Sequence, residues 1–213
     1  GLNHSHFSAL QVKNALVDLQ WDLWGERSSI NLDHPDLALH LHLNRGGAVL
    51  SLDGSGGSLH RRGYRAAMGA APLKENLAAG LIQLTGWDGR VPLVDPCCGS
   101  GILLIEAVTM ALQQAPGLGR PFGLEGWADF DSELWEREEE QARQRRRSDL
   151  DLAPVIGYEQ DPLVAEQARD NIRAAGLEGL ISVQSGSFEQ QRLQSGPGLL
   201  VCNPPYGLRI GAE

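Results

Sequence analysis

A short apolar strand, Val91 to Val94, runs straight into Asp95-Pro96-Cys97-Cys98-Gly99-Ser100-Gly101 and then into an apolar helix, Ile102 to Met110. An open α/β sheet accommodates such a strand, small-residue turn and helix in immediate succession, and it binds ligands beyond the carboxyl ends of its strands. The alternation continues downstream. Strands are expected at Val155–Tyr158, Leu180–Gln184 and Leu199–Cys202, and helices at 102–112 and at Leu163–Ala175, the latter ended by Gly176. Strands separated by helical segments predict right-handed βαβ units and a parallel sheet, an α/β architecture. A helix over Pro72–Leu84 leads into the series, and an insertion rich in Pro, Gly and Trp, 113–153, interrupts it.

The first part of the chain reads differently. Residues 7–24 show helical periodicity and stop at Gly25. Leu37–Leu43 and Ala48–Leu52 read as strands, and Asn44-Arg45-Gly46-Gly47 between them is a hairpin signal. A Gly/Ser-rich stretch, Gly54–Ser58, follows, and a domain boundary is expected near residue 62, dividing the chain into 1–62 and 63–213. The chain starts without Met, in mid-pattern, and stops just after the fourth strand of the series. An upstream segment and further C-terminal strands are therefore expected beyond it.

A net charge of −9 and a pI near 5.1 exclude a chain that coats nucleic acid over its whole surface. Nucleic-acid contact must be local. His60-Arg61-Arg62-Gly63-Tyr64-Arg65 interleaves Arg with Tyr, which suits phosphate pairing and base stacking, so Arg61, Arg62 and Arg65 are the candidate contacts. The second basic cluster, Arg143–Arg147, closes a helical stretch that begins at Ser132. Glu at its start and Arg at its end complement the helix dipole, with Glu133/Arg137 and Glu139/Arg143 at i,i+4 spacing, so a solvated helix explains it. No apolar run approaches the roughly 20 residues that span a bilayer, and no secretory signal stands at the start. Three cysteines, two adjacent, make no disulfide framework and fit a reducing, cytoplasmic setting. Cys97 and Cys98 lack a second pair at ligand spacing, so no metal is expected; His40 and His42 read as a polar strand face.

Gly99 and Gly101 let the backbone approach a ligand where a Cβ would collide. The fingerprint lacks both the longer dinucleotide pattern and a G-K-[ST], which argues against phosphate cradling. Glu159 ends the second strand of the series, where a carboxylate grips a ribose diol, while Asp161 suits a helix N-cap. The turn Asn203-Pro204-Pro205-Tyr206 is the most specific signal. Its prolines fix the backbone and leave carbonyls free. The Asn203 side-chain oxygen and the Pro204 carbonyl can accept both N–H bonds of a planar exocyclic amine, building up its lone pair toward an incoming methyl group. Tyr206 can stack on the base.

These residues, with Val12–Ala15, Ser51–Gly56, Ser58–Arg65, Ala71–Ala79, Ala115–Leu118, Trp127 and Gly207, resemble the THUMP-containing methyltransferases that modify guanine N2 in large-subunit ribosomal RNA, a family also labelled N6-adenine-specific DNA methylases. The resemblance implies a Rossmann-like class I methyltransferase sheet preceded by the C-terminal part of an α+β THUMP domain, an RNA-binding module. It implies S-adenosyl-L-methionine as cofactor and ribosomal RNA as partner. Asp95, Pro96, Cys97, Gly99, Gly101, Glu159, Ser187 and Asn203 would form the cofactor site, with Asn203, Pro204 and Tyr206 catalytic. The Arg65–Asn76 stretch would flank the methionine end. Where the family commonly carries an acid for the adenine amine, this chain has Gly186-Ser187-Phe188. Two other readings share the Asn-Pro-Pro-Tyr chemistry or the first domain: a DNA adenine-N6 or protein-glutamine methyltransferase, and a non-enzymatic RNA-binding module.

Overall fold

A computed structural model describes residues 4–33, 35–65, 73–187, 189 and 196–204. The chain divides into two compact units, one of residues 1–57 with 121–130 and one of residues 58–120 with 131–213.

In the first unit, helix α1 (Ser5–Trp24) is capped by the His4 ring, which accepts the Phe7 N–H at 3.2 Å. It stops at Gly25, whose φ of 72° lets its N–H reach the Trp21 carbonyl. Strands β1 (Ala38–Asn44) and β2 (Gly47–Asp53) pair antiparallel, with Asn44 opposite Gly47. The two-residue connection Arg45-Gly46 is the tight hairpin that the sequence signals, Gly46 taking a φ of 87°. His40 lies against Asp53 across this hairpin at 3.3 Å. Beyond β2 the Gly/Ser-rich stretch is ordered by Asp53, whose carboxylate accepts both the N–H and the hydroxyl of Ser55.

The second unit opens with α2 (Glu75–Thr85), followed by β3 (Leu93–Asp95) and α3 (Ile102–Ala111). Then come α4 (Ser132–Gln144), β4 (Val155–Glu159), α5 (Pro162–Ala174), β5 (Ser182–Ser185) and β6 (Leu199–Leu200). The four strands form a parallel sheet in the order β5-β4-β3-β6. Helix α3 is buried from Ile102 to Thr109, as a helix apolar all round must be, and α2 packs on it. Leu93, Leu104, Ile105, Val108, Val155, Ile172 and Leu177 fill the core. Among the described residues no helix is long and apolar enough to cross a membrane.

Element boundaries shift for local reasons. The first strand of the series begins at Leu93 rather than Val91, because the Val91 carbonyl accepts the Trp87 indole N–H at 2.8 Å and Pro92 has no N–H to give a ladder. Leu180 is held in a turn by the Leu177 carbonyl, which delays β5 to Ser182. The expected pair Glu133/Arg137 does not form through the carboxylate: Arg137 bonds the Glu133 backbone carbonyl, whereas Arg143 and Glu139 do pair at 2.9 Å. Helix α4 ends at Gln144, short of Arg147.

Candidate cofactor and amine site

From β3 the chain winds outward through β4 to β5, then returns to place β6 on the other side of β3. That reversal creates a switch point beyond the carboxyl ends of β3 and β6, where open α/β sheets bind ligands. Three chain segments meet there.

The first is the loop after β3. Asp95 is 1% exposed, and its carboxylate accepts the Cys97 N–H at 3.1 Å. Burial, with the nearby Glu159 charge adding to it, pushes the Asp95 carboxyl up to about 7. Pro96 is buried beside it. The Cys98 N–H bonds the Tyr158 carbonyl at 2.9 Å, tying the loop to β4, and burial pushes the Cys98 thiol up. Cys97, half-buried, is also pushed up by burial, with the nearby Asp95 and Glu159 charges adding to it. Both thiols are thereby kept from the reactive thiolate form. Gly101 turns the chain into α3 at φ 82°. A Cβ on Gly99 would meet nothing within 4 Å, so this glycine faces open space.

The second segment is the end of β4. Glu159 accepts the Gly99 N–H on one carboxylate oxygen and the Asp161 N–H on the other, each at 3.0 Å. Asp161 itself caps α5 through the Leu163 N–H at 2.8 Å. Glu159 is thus aimed from behind, with acceptor capacity left on both oxygens for a diol. Its carbonyl takes the Gly186 N–H at 2.9 Å, which brings the half-buried Ser187 to the same end of the sheet.

The third segment follows β6. Val201 donates to the Val94 carbonyl at 3.0 Å, extending the pairing beyond Leu200 and setting Cys202, Asn203 and Pro204 alongside the Asp95 loop. The Cys202 thiol is pushed up by burial and by the Asp95 charge. Asn203 and Pro204 are exposed. Pro205 and Tyr206 lie outside the described residues.

Two supporting residues carry no motif signal. Gly157 in β4 leaves no room for a side chain, since a Cβ would stand 2.6 Å from Leu104 Cδ1 and 2.8 Å from Cys98 Sγ. An isolated strand glycine is the cue that could have found it. Asn171, fully buried on α5, donates to the Ser100 carbonyl at 3.0 Å and fixes the turn from below.

The candidate RNA arginines divide. Arg61 is exposed. Arg62 instead reaches Glu106 at 3.5 Å, where Tyr64 also donates at 2.8 Å, and Arg65 pairs with Glu75 at 3.4 Å and donates to the Leu73 carbonyl at 2.8 Å. Glu75 and Glu106 are the buried charges that draw these guanidinium groups inward. Among the described residues no cluster of His, Cys, Asp or Glu could hold a metal ion.

Residues 62–213 match the RMKL-like methyltransferase domain, and residues 1–53 match the THUMP domain. The chain belongs to the RMKL-like methyltransferase family. Ribosomal RNA large subunit methyltransferase K/L of Syntrophotalea carbinolica is 47% identical over 222 residues, covering 99% of this chain and 31% of that protein. The solved structure of SMU.472 in complex with SAH matches 95% of this chain and 53% of its own, with a TM-score of 0.82 and 33% identity. A predicted N6-adenine-specific DNA methylase from Listeria monocytogenes matches 81% of this chain and 45% of its own, with a TM-score of 0.76 and 37% identity. This RMKL-like chain therefore spans about a third of that curated relative and about half of the solved ones. The class I methyltransferase sheet and the N-terminal THUMP region expected from the sequence are both present.

Proposed function

We propose that this chain is the RNA-recognising and cofactor-binding part of an S-adenosylmethionine-dependent methyltransferase that modifies guanine N2 in large-subunit ribosomal RNA. Residues 1–62 serve as the RNA module and 63–213 as the cofactor domain. The observation that supports the reading is the pairing of β6 with β3, prolonged by Val201 to Val94, which lays Asn203 and Pro204 beside the Asp95 loop.

The residues present fit the cofactor. Gly99 leaves open space beside the loop, and Glu159 presents a fixed pair of acceptors for the ribose hydroxyls. A relative of this chain has been solved with SAH, the demethylated form of the same molecule. When bound, S-adenosylmethionine supplies an electrophilic methyl group. The protein's part is to hold the acceptor. The Asn203 side-chain oxygen and the Pro204 carbonyl accept the two N–H bonds of the base amine and favour a lone pair directed at the methyl group. Asp95, Pro96, Cys97 and Gly101 shape the loop, Ser187 lies toward the base end of the cofactor, and Tyr206 stacks on the target base.

On the RNA side, exposure and ion pairing favour one of the three arginines. Arg61 remains the candidate phosphate contact, whereas Arg62 and Arg65 are engaged by Glu106 of α3 and Glu75 of α2. Ribosomal RNA as substrate implies work in the cytoplasm. A DNA adenine methyltransferase could use the same turn, and one relative carries that description; the THUMP match at residues 1–53 favours RNA. The deciding experiment is mass spectrometry of ribosomal RNA from a deletion strain. Loss of one N2-methylguanine is expected, and an unchanged set of ribosomal methylations would exclude this substrate.

A further inference from the structure

Helix α5 carries one polar residue where its apolar face enters the core. Asn171 is 0% exposed and shares that buried face with Ala165, Ala168 and Ile172. An asparagine is a poor choice there on two counts. Its short amide competes with the helix backbone, and a buried amide destabilises unless it is hydrogen-bonded. Leucine or alanine would suit both helix and core better. The Asn171 side chain reaches instead to a distant turn, where its Nδ2 donates to the Ser100 carbonyl at 3.0 Å across 71 residues of sequence.

The carbonyl that it holds lies between two glycines. Gly99 and Gly101 both sit in the left-handed region, at φ 53° and 82°. Glycine on either side leaves the intervening peptide units free to turn over. The turn is gripped against that freedom. Glu159 takes the Gly99 N–H, and the Cys98 carbonyl takes the Gly101 N–H at 2.9 Å. The Ser100–Gly101 peptide is therefore held at its N–H from within the turn and at its carbonyl from α5. Ala168 closes in beside it, since a Cβ on Gly101 would lie 3.4 Å from the Ala168 Cβ. Asn171 is too deeply buried to touch a ligand itself, so any effect on one passes through the backbone that it holds.

We propose that Asn171 is a positioning residue for the cofactor: its hold on the Ser100 carbonyl keeps the Gly99–Gly101 turn in the orientation that receives S-adenosylmethionine. This rests on the cofactor reading above and is independent of the methyl acceptor. A turn released from α5 divides its population between orientations, and apparent affinity falls by the fraction that stays competent. Saturating cofactor draws the whole population back, so turnover survives. A residue needed only for the fold would show no such split.

The test compares Asn171→Leu, which keeps the bulk and removes the donor, with Asn171→Ala in the full-length enzyme. Affinity for S-adenosylhomocysteine is measured by calorimetry well below each melting midpoint, and kcat at saturating S-adenosylmethionine. Binding about 10-fold weaker, with kcat within about twofold of the wild type, is expected for both variants. Leu177→Ala, a core truncation beyond the far end of α5, is the control. It should lower the melting midpoint and leave cofactor affinity unchanged. Unaltered affinity in the Asn171 variants overturns the proposal. Equal weakening in Leu177→Ala does so too, as does a kcat that drops at saturating cofactor. If neither Asn171 variant folds, a crystal structure of the wild type with S-adenosylhomocysteine decides. A retained bond from Asn171 to the Ser100 carbonyl supports the role, and a peptide turned away from Asn171 overturns it. A wild type that binds neither form of the cofactor refutes the cofactor reading, and the positioning role falls with it.

Discussion

The Gly99 N–H donates to the Glu159 carboxylate across 3.0 Å, so the loop after β3 and the end of β4 hold one another in place before any ligand arrives. A binding site whose acceptor is already oriented loses less freedom on binding.

Replacing Glu159 by Ala removes the proposed diol acceptor and the partner of the Gly99 N–H together. Affinity for S-adenosylmethionine should fall by about 1.5–3 kcal/mol, the range for hydrogen bonds to a charged group. Isothermal calorimetry on both proteins measures it. Equal dissociation constants would remove Glu159 from the site. Gly99→Trp, which fills the open space beside that residue, should abolish the binding heat altogether.

Asn203 is exposed at the end of β6 and takes no part in the core. Asn203→Ala in the full-length enzyme should therefore leave cofactor affinity intact and lower turnover by about 10²–10³, the usual loss for one transition-state hydrogen-bond partner. A tritium-transfer assay on undermethylated ribosomal RNA, run beside a cofactor titration, separates the two. Parallel loss of both would mark the turn as structural, and full turnover would end the amine-site assignment.

Asp95 gives a pH dependence of stability. Its folded carboxyl titrates at about 7, against 3.8 in the unfolded chain. A raised value means that the folded state prefers the protonated form, so stability present below pH 4 is lost as pH climbs to 7 and stays lost above it. For a group this deeply buried the loss is on the order of 4 kcal/mol. Asp95→Asn keeps an oxygen for the Cys97 N–H and carries no charge. Without cofactor it should match the wild type near pH 4 and be the more stable protein at pH 8. Denaturation midpoints that run parallel across that range would refute the assignment.

Arg61 and Arg62 are sequence neighbours with different environments. Charge reversal at exposed Arg61 should weaken RNA binding, most at low salt, and leave the melting temperature unchanged. Arg62→Met should leave Glu106 without its counter-charge and destabilise the fold by about 1–3 kcal/mol. Filter binding at several salt concentrations and thermal melts distinguish the two, and identical behaviour of the variants would erase the distinction.

The sequence by itself determined the α/β series, the hairpin at Arg45-Gly46, the cap at Asp161 and the position of Glu159 at a strand end, because each depends on local spacing, turn chemistry or apolar periodicity. The Asp95 loop and the Asn203 turn were likewise legible as motifs. Their combination points to sites side by side, but only the tertiary structure showed the strand pairing, β6 on β3, that sets them next to each other, since strand order depends on which edges pair and not on which residues follow one another. It alone showed that Arg62 and Arg65 turn toward Glu106 and Glu75, because the fold buries those carboxylates where the guanidinium groups can reach them. It also showed that Gly54 and Gly56, flexible by composition, are held against Leu124 and Gly123. Glycine's missing side chain permits either slackness or close backbone contact, and the partner that settles which lies more than sixty residues away in the chain.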